Sequence, residues 1–222
     1  MIPVYIGYDY KEPIAFHVCA NSIIRNSKKP VSIIPLALNL LDTYTESHTD
    51  GSNSFTYTRF LVPYLSKFKG FAIFIDGDMI VKSDISELFN YKDSKFAAQV
   101  VKHNYTTSRS IKYLQNKNED YPRKNWSSVI LWNCDHVSNR LLTPSFIEDS
   151  SGSQLHRFAW LADDEIGELP IEWNWLVDEF GANYNANLLH FTLGIPNFQE
   201  FGNVSHSSEW FDEQNKLNLY KK

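Results

Sequence analysis

Cysteine is scarce in this sequence, and neither long hydrophobic runs nor an excess of positive charge occurs. Cys19 and Cys134 are too few and too far apart for a disulfide framework or a zinc site, so both are predicted to be buried thiols. No apolar run approaches the ~20 residues that a membrane span requires. Residues 1–7 lack the basic and long apolar regions of a signal peptide. These absences predict a cytoplasmic protein without a transmembrane segment.

The charge balance is acidic, with a formal net charge of −5 at pH 7. Proteins that bind nucleic acids usually present a basic surface to the phosphates, so a nucleic-acid partner is not expected. A small anionic ligand is still compatible with this balance, because it needs only a local cluster of cations or a metal.

The chain length and its first elements predict the fold class. A chain of 222 residues with 43% hydrophobic residues is long enough for one well-packed domain. An apolar strand at 3–6, a helix that starts at about Pro13 and a second strand at 31–35 form a β-α-β unit, which predicts parallel strands. We expect an α/β fold with a Rossmann-like, mostly parallel sheet flanked by helices. Residues 1–222 are predicted to be a single domain, with a nucleotide-binding sheet at about 1–135 and a smaller substrate-shaping part at about 136–222.

Two carboxylates follow a strand that is apolar throughout. Phe71–Ile75 is typical of a strand buried on both faces, and Asp76, Gly77 and Asp78 come directly after it. In open α/β sheets ligands lie beyond the carboxyl ends of the strands, and Gly77 permits a sharp turn there. Two neighbouring carboxylates repel each other unless a divalent cation neutralises both. Asp76 and Asp78 are therefore predicted to be metal ligands, the alternative being a solvated Asp-Gly turn.

Several segments together resemble a known enzyme family. They are Gly7-Tyr8-Asp9 after the first strand, Tyr57–Leu61 upstream of the paired carboxylates, Asp76-Gly77-Asp78, and His190-Phe191-Thr192 near the end of the chain. In this combination they resemble the retaining nucleotide-sugar glycosyltransferases of family 8, which have the GT-A fold. The run 121–133 resembles a bacterial branch of that group.

The resemblance implies a metal-dependent transfer of a hexose from a nucleotide diphosphate sugar to a hydroxyl of a carbohydrate acceptor. Asp76, Asp78 and His190 would bind Mn²⁺ or Mg²⁺, which accept carboxylate ligands and, for Mn²⁺, imidazole. The metal would hold the diphosphate of a donor, expected to be a UDP-sugar. Taken alone, a histidine in an apolar strand is more often a core residue than a ligand.

The same resemblance assigns roles to further residues. Asp163, Asp164 and Glu165 would line the sugar pocket, with Asp163 and Asp164 catalytic and Asp164 nearest the reacting carbon. Gly7, Tyr8 and Asp9 would receive the base and ribose. The full predicted donor-binding set is Gly7, Tyr8, Asp9, Arg59, Asp76, Gly77, Asp78, Lys124, Asn125, Ser127, Ser128 and Gly194.

The chain departs from the family pattern after its late histidine. Many members continue with a glycine and then Lys-Pro-Trp, whereas this chain has no lysine in 193–198. A phosphate contact is therefore missing, and Arg123 or Lys124 is predicted to replace it.

Two other functional classes are compatible with parts of the sequence. A nucleotidyltransferase would use a similar acidic pair but also a glycine-rich phosphate loop after the first strand, which residues 7–11 do not form. A non-catalytic carbohydrate-binding protein would retain the aromatic residues but would have no use for carboxylates aimed at a diphosphate. Trp173-Asn174-Trp175 is the predicted acceptor surface.

Overall fold

The computed structural model describes residues 1–217 as a mixed α/β fold built on a large sheet and a small one. The strands are β1 (Ile2–Gly7), β2 (Val31–Leu36), β3 (Phe71–Ile75), β4 (Met79–Val81), β5 (Ala98–Val100), β6 (Val129–Asn133), β7 (Ile166–Glu168), β8 (Trp175–Leu176) and β9 (Leu188–His190). The helices are α1 (Pro13–Asn26), α2 (Val62–Leu65), α3 (Ile85–Phe89), α4 (Pro144–Asp149), α5 (Gly152–His156), α6 (Val177–Phe180) and α7 (Ser207–Asn215).

The large sheet is mostly parallel, as the sequence predicts. It contains six strands in the order β2-β1-β3-β6-β5-β7. β1 pairs in parallel with β2 and β3, and β5 pairs in parallel with β7. β6 runs antiparallel to both of its neighbours, β3 and β5. The predicted α/β class is therefore confirmed, with one antiparallel strand inside the sheet.

Strand β3 is buried on both faces, which explains its uninterrupted apolar sequence. Ile73 and Ile75 pack into a core that contains Cys19 and Ile23 of α1. Ala72 and Phe74 point to the opposite face and pack into a second core that includes Trp132. Successive side chains of a strand alternate between faces, so a strand at the centre of a covered sheet requires apolar residues at every position. Both cysteines are free and buried, as predicted.

The small sheet joins the end of the chain to the segment after β3. Its order is β4-β9-β8, and β4 pairs antiparallel with β9 so that Met79 lies opposite His190. This pairing brings two segments that are distant in sequence together near the carboxyl end of β3.

Apolar residues recur at helical spacing over 55–65 and over 155–161, which predicts a helix in each segment, and both helices are shorter than this spacing predicts. Residues 55–65 contain a 3₁₀ turn at Thr58–Leu61 followed by the four-residue helix α2. The expected helix at 155–161 ends at His156, because Phe158 has a positive φ of 53° that an α-helix cannot contain. Within residues 1–217, every helix is too short or too polar to span a bilayer.

Candidate functional site

Asp76, Asp78 and His190 meet at the edge where the two sheets adjoin. Asp76 follows β3, and Asp78 precedes β4 with its carbonyl accepting a hydrogen bond of 3.1 Å from the amide of Phe191. His190 Nε2 lies 3.3 Å from Asp78 Oδ1 and 3.9 Å from Asp76 Oδ2. One ligand atom from each of the three residues lies within 4.8 Å of the other two. The structure thus brings the three predicted metal ligands together.

A hydrogen bond orients the imidazole of His190. Asn174 uses its side-chain nitrogen to donate to Ser128 Oγ at 2.8 Å, so its Oδ1 is left to accept from His190 Nδ1 at 2.9 Å. With the proton on Nδ1, the lone pair of Nε2 faces the two carboxylates. This is the tautomer that binds a metal through Nε2.

The chemistry of the donor set fits a divalent cation. Asp78 Oδ1 is buried and has no hydrogen-bond partner within residues 1–217, although it faces His190 Nε2. Two lone pairs that face each other at this distance repel, and an unsatisfied buried carboxylate oxygen is costly. A cation between them removes both penalties, and two carboxylates with one imidazole are a donor set that Mn²⁺ accepts.

Arg59 forms a buried ion pair with the carboxylate of Asp76. Its guanidinium lies 2.8 Å from Asp76 Oδ1, and its Nη1 donates to the carbonyl of Ser127 at 2.9 Å. Burial raises the pKa of Asp76, and the nearby Asp78 raises it further, whereas the charge of Arg59 lowers it. Arg59 therefore favours the ionised form of a buried ligand.

A cavity of about 570 Å³ opens beside the three ligands. Its walls contain eight of the residues that the sequence pointed to, namely Arg59, Asp76, Asp78, Lys124, Asn125, Ser127, Ser128 and His190. Lys124 is buried, and its ammonium donates to Asn118 Oδ1 at 2.6 Å and to the carbonyl of Glu119 at 2.7 Å. The ammonium of Lys124 thus points to the preceding loop, which contains Asn118 and Glu119.

Gly7 and Gly77 permit a close approach of two backbones behind the carboxylates. A Cβ on Gly77 would lie 2.5 Å from the carbonyl oxygen of Gly7, and a Cβ on Gly7 would lie 2.4 Å from the ring of Phe55. The carboxylate of Asp9 accepts from the amides of Ser54 and Lys11. These contacts give the glycines and Asp9 a structural role behind the two carboxylates.

The first loop is not part of the cavity lining. Tyr8 packs edge to face against Phe16, with ring centroids 5.7 Å apart. Gly7, Tyr8 and Asp9 do not belong to the residues that line the cavity. Their contact with a base and ribose stays a prediction from the family resemblance.

The predicted catalytic carboxylates lie elsewhere. Asp163 and Asp164 are exposed on the 3₁₀ turn Asp163–Glu165 before β7, and neither lines the cavity. Asp163 pairs with Arg123, whose guanidinium also donates to the carbonyl of Arg157. In the structure Arg123 is bound by Asp163, and the short connection to β7 holds Asp163 and Asp164 at the surface. Catalysis by these two carboxylates stays a prediction from the family resemblance.

Two other predicted positions have structural roles. Gly194 lies against the ring of Phe201 and against Tyr113, with no space for a side chain. Trp173 is 1% exposed and packs in the core, so the proposed acceptor surface at 173–175 is wrong for this residue.

Several cavity residues were not foreseen from the sequence. His156 Nδ1 lies 2.7 Å from Ser127 Oγ, and burial together with the charges of Arg59 and Lys112 lowers the pKa of His156 to about 3. Lys112 and Arg157 also line the cavity. Neither helical spacing nor a motif marks these side chains as cavity residues, so only tertiary contacts show that they face the cavity.

The chain is similar to known glycosyltransferases over nearly its whole length. Residues 6–137 match the sequence profile described as "Glycosyl transferase family 8". Protein CDI of Arabidopsis thaliana is 36% identical over 228 residues, which cover 99% of this chain and 88% of that protein. The expected bacterial branch is not supported by this relative, which is a plant protein.

Solved structures share the fold at low sequence identity. The galactosyltransferase LgtC, solved with donor and acceptor sugar analogues, has a TM-score of 0.65 at 10% identity and covers 100% of this chain and 98% of its own. The bifunctional glycosyltransferase WbbM has a TM-score of 0.67 at 16% identity over 96% of this chain, which spans only 49% of WbbM. GlyE of Streptococcus pneumoniae TIGR4 has a TM-score of 0.60 at 14% identity, and the chain spans 60% of it.

These likenesses confirm the GT-A fold. The profile match covers more than half of the chain, and the plant relative is similar from end to end. The protein is a glycosyltransferase and belongs to glycosyl transferase family 8.

Proposed function

We propose that this glycosyltransferase is metal-dependent and transfers a hexose from a UDP-sugar to a hydroxyl of a carbohydrate acceptor, with retention of configuration. The observation that carries the metal dependence is the pair of facing lone pairs on Asp78 Oδ1 and His190 Nε2, whose repulsion a bound cation would relieve. The donor base and the retention follow from the family resemblance.

Asp76, Asp78 and His190 would hold Mn²⁺ or Mg²⁺. When bound, such an ion supplies Lewis-acid stabilisation of the departing diphosphate, an effect of several kcal/mol. Breaking the sugar–phosphate bond leaves positive charge on the anomeric carbon and negative charge on the leaving group. Arg59 keeps Asp76 ionised through their 2.8 Å contact, and Asn174 keeps the metal-binding face of His190 toward the site.

A wall of the cavity beside these ligands is suited to sugar hydroxyls. Asn125, Ser127 and Ser128 line the cavity, and the Ser127 hydroxyl is paired with His156. A neutral imidazole and hydroxyl groups provide both donors and acceptors without adding charge. We assign this wall to the hexose of the donor, and the acceptor to the open side of the cavity.

The geometry of the site argues against the two alternative functions, a nucleotidyltransferase and a non-catalytic carbohydrate-binding protein. The turn at residues 7–11 is closed by the carboxylate of Asp9 and lies outside the cavity lining, so it does not serve as the phosphate loop of a nucleotidyltransferase. A carbohydrate-binding protein without catalysis has no need for a buried, unsatisfied carboxylate oxygen.

The test is release of free UDP from a panel of UDP-sugars, measured with Mn²⁺ and with EDTA. We expect turnover with at least one sugar in Mn²⁺ and none in EDTA. Asp78→Asn should abolish turnover, whereas Asp212→Asn, which alters an exposed carboxylate outside the cavity lining, should retain it. Equal turnover in EDTA would overturn the proposal.

A further inference from the structure

The 110–118 loop carries a lysine into the cavity. Its ends are held by a backbone hydrogen bond of 2.8 Å from the amide of Asn118 to the carbonyl of Ser110, and Ile111 and Lys117 form an isolated antiparallel bridge. Between them Lys112 lines the cavity together with Asp76 and Asp78.

A second segment fixes where the 110–118 loop lies. The amide of Tyr113 donates to the carbonyl of Leu193 at 2.6 Å, and the Tyr113 ring packs on Phe198 with centroids 5.2 Å apart. Tyr113 is 6% exposed and also contacts Gly194. The residue before it, Lys112, is therefore held close to the segment that follows the metal ligand His190.

The ammonium of Lys112 makes no hydrogen bond and no ion pair within residues 1–217. Three other cations nearby already have partners. Arg59 pairs with Asp76, Lys124 is bound by its own loop, and Arg123 is bound by Asp163. A partly buried cation without a counterion is costly, so a ligand anion is its natural partner.

The charges around Lys112 point to the diphosphate position. Burial lowers the pKa of Lys112, while the carboxylates of Asp78 and Asp76 oppose that effect and the charge of Arg59 adds to it. The ammonium therefore lies within the electrostatic reach of both proposed metal ligands. A diphosphate bound to the metal would meet this ammonium as well.

We propose that Lys112 contacts the diphosphate of the donor, and that the 110–118 loop supplies this cation by docking on 193–194. The inference rests on the proposed use of a nucleotide diphosphate sugar. It replaces the expectation that Arg123 or Lys124 makes the phosphate contact. Arg157 is the alternative candidate for the diphosphate contact, because it lines the cavity and its Nε has no hydrogen-bond partner within residues 1–217.

The experiment is isothermal titration calorimetry of the full chain in Mn²⁺ with UDP and with uridine as separate ligands. A charge-assisted hydrogen bond to phosphate is lost in Lys112→Met, so UDP affinity should fall roughly ten- to a hundredfold. Uridine affinity should stay the same, since uridine carries no phosphate. Lys112→Arg should recover most of the affinity for UDP.

Lys95→Met is the control, because Lys95 is an exposed lysine outside the cavity lining. It should bind UDP like the wild type. Wild-type affinity for UDP in Lys112→Met, or equal losses for UDP and uridine, would overturn the proposal, and a loss confined to Arg157→Met would assign the contact to Arg157. If the wild type itself does not bind UDP in Mn²⁺, the proposed function fails and this inference fails with it.

Discussion

Asn174 Oδ1 and His190 Nδ1 are joined by a hydrogen bond of 2.9 Å, and this bond decides which ring nitrogen faces Asp76 and Asp78. Asn174 is fully buried and is itself held by Ser128. The imidazole of the proposed ligand set is thus oriented by a residue outside that set.

Asn174→Ala should therefore weaken metal binding without removing a ligand. Loss of a residue that orients a metal-binding histidine typically costs 10- to 100-fold in affinity, and we expect about that reduction for Mn²⁺. Direct titration of Mn²⁺, followed by electron paramagnetic resonance, measures it. Asn183→Ala, at a surface loop outside the cavity lining, is the control and should bind like the wild type. Unchanged Mn²⁺ affinity in Asn174→Ala would show that the orienting bond is dispensable.

The ion pair of Arg59 and Asp76 should contribute to stability when metal is removed. Arg59→Met leaves a buried carboxylate without its partner, a change that typically costs about 3–5 kcal/mol. Urea unfolding in EDTA measures the free energy of unfolding. Combining Arg59→Met with Asp76→Asn should recover part of the loss, because the uncompensated charge is gone. Additive losses in the double variant would mean that the two side chains do not interact.

The sequence predicted those parts of the site that lie on regular strands. The apolar run of β3 ends in two carboxylates, which is an unusual ending for a strand that is buried on both faces. His190 lies on β9, and only the family resemblance placed it with the two carboxylates. Lys112 lies in an irregular loop and His156 at the end of the short helix α5, and no periodic pattern indicates that either side chain faces the cavity.

Other predictions fall on residues outside the cavity lining. The family resemblance places Asp163 and Asp164 at the sugar, whereas they lie on the exposed turn before β7, and their catalytic role stays a prediction. Trp173 was assigned to an acceptor surface from its composition, although a tryptophan next to a buried strand can equally fill the core. The predicted boundary at about residue 135 and the cytoplasmic location stay predictions.

The pH dependence of stability should report the buried imidazole of His156. Its pKa in the folded protein is lowered from 6.5 to about 3, so below pH 6.5 the unfolded chain binds a proton that the folded chain excludes. Stability must then fall as the pH drops from 6.5 toward 3, by up to about 1.4 kcal/mol per pH unit from this group. His156→Asn should reduce that slope in urea unfolding curves recorded between pH 7 and pH 4. His17→Asn, which changes an exposed histidine, is the comparison, and equal slopes in both variants would contradict the assignment.

Gly77 should not tolerate a side chain. The Cβ of alanine would lie 2.5 Å from the carbonyl oxygen of Gly7, so the turn between Asp76 and Asp78 must shift. Overpacking of this kind typically costs about 1–3 kcal/mol, and we expect Mn²⁺ affinity to fall as well. Gly202→Ala is the control, because its nearest atom would be 3.6 Å away. Thermal unfolding and Mn²⁺ titration of both variants check this, and a Gly77→Ala protein that matches Gly202→Ala would disprove the close approach.

The most direct test is calorimetric titration of the wild-type protein with UDP, first with Mn²⁺ and then after metal removal with EDTA. We predict binding that depends on Mn²⁺ and that disappears in Asp78→Asn while the variant remains folded. UDP binding of equal strength without metal, or in Asp78→Asn, would contradict a cation held by Asp76, Asp78 and His190.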